Sequence, residues 1–363
     1  MAQTGLAAVR PPYFAPVLFQ VQVQRNLSTG TVEVETEHHN LNMVLHRLSY
    51  DIKRAVAVCF DFSAEVYRRL CHVKPSEVSM HHHVLKVPDL SSSVKLLSTT
   101  ACAYGGFGEV REGVWKQGPL KLKALKTIRA ARMLRKEVAI MKNLQHPNIV
   151  PFWGVAELEG GGGYGMVSEW IEGWTLHTFI QTHHADSRVL SIRRRFEILG
   201  DIASGLEYLH AHFVVHGDLS ATNVLINECG RVFICDFGLS RDTSQSVESA
   251  IITMLSILSG AVLNPSWNAP ELVLDPNPFP TMSSDIYSFG ALMFETLSGQ
   301  RPYGQMTFYK IAHQMEGHKY PERPSSEFLD DNAWMYIIHC FDHNPANRPG
   351  ASEVRARIFA FLN

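Results

Sequence analysis

The chain lacks the marks of several common protein classes. Its six cysteines (Cys59, Cys71, Cys102, Cys229, Cys235 and Cys340) are scattered, and no two form a C-x-x-C pair. That spacing argues against a zinc site and against a disulfide framework. No apolar run approaches the roughly 20 residues of a bilayer-spanning helix. The longest, Ala250 to Leu263, is shorter and contains Thr253, Ser256 and Ser259. Met1 to Pro16 has no cationic stretch followed by an apolar core, so no signal peptide is read there. Excess charge of one sign is also missing. A formal net charge of -2 supplies no bulk field to attract nucleic acid or an anionic membrane. The short basic run Arg193 to Arg195 reads as a solvated face at a helix start. These absences predict a soluble, reduced, cytoplasmic protein with no nucleic-acid partner and no integral membrane segment.

What is present suffices for a sizeable core. Hydrophobic residues make up 45% of 363 positions, with room for about two domains. Val17 to Gln24 and Thr31 to Glu37 alternate apolar and polar residues around the turn-forming Asn26 to Gly30, which predicts a hairpin. Leu45, Leu48, Ile52 and Val56 form a helical stripe within 41–71. The triplet His81-His82-His83 is a poor metal site, since adjacent residues cannot all face one ion from a helix or strand. Pro88 to Ser93 reads as a linker. Residues 1–92 are therefore expected to form an N-terminal extension, and 93–363 a second domain. Beyond the linker, strand-like segments give way to amphipathic helices at Arg193 to His210 and Asp285 to Leu297. Strands followed by helices suggest an α+β architecture of two lobes.

Three clusters carry chemistry in the second domain. The first is glycine-rich: Ala103-Tyr104-Gly105-Gly106-Phe107-Gly108-Glu109-Val110. Glycines let backbone N–H groups approach phosphate oxygens with no side chain in the way. Taken alone, the stretch is equally compatible with an ordinary hairpin turn. The second is Lys123-Ala124-Leu125-Lys126, followed eleven residues after Lys126 by Glu137. A lysine held by a carboxylate keeps both its charge and its aim. The third is His216-Gly217-Asp218-Leu219-Ser220-Ala221-Thr222-Asn223, then Asp236-Phe237-Gly238. Any one of its aspartates, taken alone, reads as a loop residue or a helix cap.

The joint spacing of these clusters resembles the eukaryotic protein kinase superfamily from about Ser93 to Asn363. The flavour is that of the tyrosine-kinase-like group, and the His-Gly-Asp-Leu loop is similar to kinases expanded in mushroom-forming fungi. The resemblance implies a small strand-rich N-lobe, a larger helical C-lobe, and ATP with Mg2+ as cofactors. It implies that Asp218 orients the acceptor hydroxyl, and that Lys126, paired with Glu137, holds the phosphates. Asn223 and Asp236 would be the metal ligands. Ala103, Gly105, Gly106, Gly108 and Val110 would cover the nucleotide. Ala124, Ser168, Glu169, Trp170 and Leu225 would surround its base, with Ser168 a small gatekeeper. His216 and Phe237 would pack between the lobes. Asp285 would anchor the catalytic loop, and Glu271 of Ala269-Pro270-Glu271 would pair with Arg348.

The sequence also departs from that family. Ala103 replaces the first glycine, and Lys126 and Glu137 are closer in sequence than usual. Gly217 stands where many kinases have an arginine that pairs with a phosphate on the activation loop, so that receptor is missing. Ser220 and Thr222 replace the cations that commonly mark Ser/Thr and Tyr kinases. Ala250 to Leu263 is unusually apolar for an exposed loop. Two functions stand side by side. One is an ATP-dependent kinase acting on a protein substrate, Ser/Thr rather than Tyr by group resemblance. The other is a pseudokinase that binds nucleotide or partners without turnover. Residues 1–92 are the expected place for a regulatory partner.

Overall fold

The computed structural model describes residues 24–25, 32–33, 87–97, 103–105, 108–115, 122–128, 131–157, 164–243, 265–275 and 278–362. The chain divides into a unit from Met1 to His82 and a unit from His83 to Asn363. In the first unit, β1 (Gln24–Arg25) pairs antiparallel with β2 (Val32–Glu33), within the expected hairpin. The helical stripe of 41–71, the histidine triplet and Ala250 to Leu263 lie outside the described residues.

The second unit begins with strands. These are β3 (Val94–Leu96), β4 (Ala103–Gly105), β5 (Gly108–Trp115), β6 (Leu122–Ile128), β7 (Phe152–Glu157) and β8 (Tyr164–Glu169). They form one six-stranded sheet in the order β3-β5-β6-β8-β7, with β4 added to β5. Pro88 to Ser93, read as a linker, is pinned to the sheet instead. Leu90 N–H donates to Val155 C=O at 2.8 Å and Val155 N–H to Pro88 C=O at 3.0 Å. The buried Leu90 packs with Ala156 and Val167. Gly154 lets this happen: a Cβ there would lie 2.3 Å from the Pro88 carbonyl oxygen. Helix α1 (Ala131–Met141) follows β6.

Helices then take over. The strand β9 (Gly173–Thr175) leads into α2 (Leu176–His183) and α3 (Ile192–Ala211). Thr175 and Ser191 cap these two helices by accepting backbone N–H bonds. A small sheet of β9, β11 (Val224–Asn227) and β12 (Val232–Ile234) follows, and β10 (Val214–Val215) pairs with β13 (Arg241–Asp242). The rest is helical: α4 (Pro270–Leu274), α5 (Met282–Ser298), α6 (Phe308–Glu316), α7 (Asp331–Cys340) and α8 (Ala351–Leu362).

Helix α5 is the axis of this lobe. Every residue from Ser284 to Ser298 is buried, as expected for a helix packed on all sides. Its ends are set locally. A Thr281–Ser284 capping box starts it, and Gly299 in the left-handed region stops it. One sequence expectation fails here. Arg193 is exposed, but Arg195 is fully buried. The two are about 200° apart around a 3.6-residue helix, so their side chains face different ways. The Arg195 guanidinium donates to the carbonyls of Thr296 and His184 and lies 4.0 Å from the centre of the Phe328 ring. It is a structural cation with a lowered pKa of about 10, the result of burial.

Candidate active site

The catalytic loop hangs from α5. Asp285 accepts the backbone N–H groups of His216 at 2.8 Å and Gly217 at 2.9 Å, and it also bonds His210 Nε2 at 2.9 Å. One buried carboxylate therefore fixes the backbone just before Asp218. His216 completes the brace. Its Nδ1 faces the Asp218 N–H at 3.3 Å, which makes that nitrogen the acceptor. The other nitrogen, Nε2, then donates to the Cys235 carbonyl at 3.1 Å. The His216 ring also meets Phe237 at 5.2 Å, and both residues are buried.

The register of β11 and β12 brings Asn223 and Asp236 together. Val224 pairs with Ile234, and Cys235 N–H donates to Asn223 C=O at 2.9 Å. Asn223 thus lies across from the residue that precedes Asp236. Its Nδ2 donates to the Asp218 backbone oxygen at 2.8 Å and to Asp218 Oδ2 at 3.0 Å. The amide oxygen of Asn223 is left as its acceptor atom, a hard donor suited to magnesium. Asp236 has φ +63°, the left-handed region that non-glycine residues seldom adopt. Its Oδ1 accepts Gly238 N–H at 3.2 Å. The donor set of Asn223 and Asp236 fits a divalent cation.

Gly217 has φ +79°, and a Cβ there would lie 2.8 Å from the Leu239 carbonyl oxygen and 3.2 Å from Pro280 Cβ. The position often held by arginine is therefore one where this backbone accommodates glycine. Ser220 and Thr222 hydrogen-bond to each other at 2.9 Å. Downstream, Ser240 Oγ donates to His216 C=O at 2.8 Å, and β13 pairs with β10 just ahead of the loop.

Most of the residues expected to face a nucleotide sit on the large sheet. Gly105 pairs with Gly108 across the β4–β5 turn, and Ala103 pairs with Val110. Gly106 lies outside the described residues. Lys126 is placed by its backbone between Val110 and Met166, and Ala124 between Glu112 and Ser168. The Lys126 side chain is outside the described residues. Glu137 is buried on α1. Glu169 accepts the Trp153 indole N–H at 2.9 Å, while its own N–H donates to Pro151 C=O. Ser168, Trp170 and Leu225 are half-buried.

Some residues in this region carried no legible signal. Lys136, next to Glu137, is buried, with Nζ 3.5 Å from the Gly238 carbonyl oxygen. Burial pushes its amine down to about 8, with Glu137 opposing and Arg241 reinforcing the fall. The Glu271–Arg348 pair, by contrast, was legible. It is bidentate at 2.7 and 2.8 Å, with the Arg348 side chain fully buried.

Comparison with known proteins agrees with this geometry. Residues 98–358 match the family model for protein tyrosine and serine/threonine kinases. A probable serine/threonine-protein kinase of Dictyostelium discoideum is 31% identical over 281 residues, covering 74% of this chain and 25% of the relative. A tyrosine-protein kinase of Spongilla lacustris is 30% identical over 251 residues, covering 68% of this chain and 70% of the relative. The serine/threonine-protein kinase CTR1 of Arabidopsis thaliana is 31% identical over 256 residues, covering 69% of this chain and 30% of the relative. The alignments thus span about a quarter of the first relative and under a third of CTR1. The chain belongs to the protein kinase family.

Proposed function

We propose that this member of the protein kinase family transfers the γ-phosphoryl group of ATP to a hydroxyl of a protein substrate. The observation that carries the reading is the convergence of Asp218, Asn223 and Asp236 around one braced loop. ATP supplies the phosphoryl group, and Mg2+ neutralises charge on it. Asn223 and Asp236 would hold the metal through their side-chain oxygens. Lys126, kept charged by Glu137, would hold the phosphates beneath the backbone of Ala103 to Val110. Ala124, Ser168, Glu169, Trp170 and Leu225 would receive the base. Asp218 has its carboxylate oriented by Asn223 Nδ2 and would accept a hydrogen bond from the acceptor hydroxyl.

Group resemblance favours serine or threonine as the acceptor, and the relatives carry names of both kinds. Gly217 supports activity that does not require a phosphate received at that position. The reading extends to a cytoplasmic signalling role and to a regulatory partner at residues 1–92. Among the described residues, no helix is long and apolar enough to cross a membrane. The rival reading is a nucleotide-binding pseudokinase, favoured by Ala103, Ser220 and the short approach from Lys126 to Glu137.

The test is magnesium-dependent ATP turnover by the purified chain beside Asp218→Asn. The expected loss is about 10²–10⁴-fold, the usual contribution of a positioned acid or base. Equal rates in the two proteins would leave the binding-module reading standing.

A further inference from the structure

A second polar cluster lies below the catalytic loop, and the site described above does not use it. Glu295, on α5, is fully buried. Its Oε1 meets His177 Nδ1 at 2.6 Å, and its Oε2 accepts the indole N–H of the buried Trp267 at 3.1 Å. Arg301 Nη2 lies 2.8 Å from His177 Nε2. A guanidinium can only donate, so His177 Nε2 is the acceptor and Nδ1 carries the proton toward Glu295. The chain of bonds therefore runs one way, from Arg301 through the neutral His177 ring to Glu295. The Arg301 guanidinium also lies 5.4 Å from the centre of the Trp267 ring, which closes the cluster.

This cluster joins parts that belong to different elements. The backbone N–H of His177 donates to the Ala221 carbonyl at 2.9 Å, inside the loop between Asp218 and Asn223. Trp267 stands two residues before Ala269, and Ser288 Oγ on α5 donates to its carbonyl at 2.9 Å. Burial pushes the Glu295 carboxyl up, and the His177 hydrogen bond leads the opposing effects. A desolvated carboxylate needs its partners, so loss of the His177 ring would be felt at Glu295 and Trp267, and through the seating of residue 177 at the Ala221 carbonyl that its backbone N–H holds.

We propose that His177 is a positioning residue for phosphoryl transfer: its two ring nitrogens join Arg301 to Glu295 and so to the Trp267 segment, while its backbone N–H holds the Ala221 carbonyl, which ties that segment and the loop into one acceptor-side surface. The inference rests on the kinase reading above. It assigns His177, Glu295, Trp267 and Arg301 to the protein-acceptor side, because the cluster reaches the loop of Asp218. Most of the residues assigned to the nucleotide lie in the large sheet; Leu225, on β11 beside Thr175, is the one near His177. Loss of the His177 ring therefore raises KM for the acceptor and leaves KM for ATP in place. A glutamine at 177 has one donor and one acceptor on its amide and can replace both bonds.

The test compares His177→Phe and His177→Gln in the full chain, with myelin basic protein as the acceptor probe. The expected result for His177→Phe is an acceptor KM raised about five-fold or more with KM for ATP within about two-fold. Amide hydrogen exchange over residues 265–269 is expected to quicken in the same variant. His177→Gln is expected to stay near the native values in all three measurements. Should His177→Phe fail to fold, Arg301→Met at the exposed end carries the test, with the same expected KM pattern. Parallel rises in both KM values, an unchanged acceptor KM, or a His177→Gln protein that behaves as His177→Phe would each overturn the proposal. A native chain with no turnover would overturn the kinase reading itself, together with this role for His177.

Discussion

The loop that carries Asp218 and the helix α1 are held in place by different means. On the helical side, the catalytic loop is fixed by short bonds to buried acceptors. Asp285 takes three donors, His216 bridges Asp218 and Cys235, and Ser240 closes the back. On the strand side, α1 reaches the Asp236-Phe237-Gly238 turn through Lys136, whose contact with Gly238 is 3.5 Å long. That distance is at the weak end of hydrogen bonding. The loop that carries Asp218 is thus built into the core, whereas α1 carries a desolvated cation at its contact with the turn. The loop is held by a buried carboxylate, and α1 by its apolar face of Val138, Ile140 and Met141 in the main core.

Removing the anchor tests this contrast most severely. Asp285→Ala would leave the N–H groups of His216 and Gly217 and the His210 ring nitrogen unpaired in the core. A loss of about 3–5 kcal/mol is expected in urea denaturation, the scale for breaking one side of a buried ionic cluster. A loss under about 1 kcal/mol would show that the loop holds its shape without α5, since that is the scale of one ordinary hydrogen bond. Arg348→Met, at the pair with Glu271, is expected to cost somewhat less. Glu271 keeps 26% side-chain exposure and can be rehydrated.

Gly217→Ala sharpens the comparison from within the loop. Its backbone is left-handed and a Cβ would crowd the Leu239 carbonyl, so about 1–2 kcal/mol of destabilisation is expected. Thermal unfolding would measure it, and an unchanged midpoint would mean the loop can relax.

The strand side is expected to answer to pH instead. The Lys136 amine releases its proton near 8 in the folded chain and near 10.5 when unfolded. Between those values the unfolded chain holds the extra proton, so raising the pH favours folding. Compared with Lys136→Met, the native chain should gain stability from about pH 8 to 10.5. Parallel curves for the two proteins would place the Lys136 amine in a more hydrated setting. The smallest effect belongs to Ser168. A small side chain there leaves room for bulky purine analogues, which should raise the melting temperature, and no shift would count against an open pocket.

Much of the site was legible because its residues act through local backbone shape. Asp218, Asn223 and Asp236 keep a spacing set by one loop and one hairpin, and that spacing survives in the linear order. Glu271 and Arg348 were legible through the motifs around them, although 77 residues separate them. Lys136 was not, because a lysine next to a glutamate on a helix normally reads as a surface charge. The orientation of α1 buries it. Arg195 misled for the same reason, its neighbour Arg193 being exposed while it points inward.

The sequence by itself determined the family, the order of the lobes and the spacing that brings Asp218, Asn223 and Asp236 to one loop and hairpin, since these depend on residue types at short, fixed separations. Only the tertiary structure decided which charges are buried and what they hold. His177 and Glu295 are 118 residues apart, and no periodicity links them. They meet because α2 and α5 pack beneath the catalytic loop, where leaving water obliges each polar atom to find a partner.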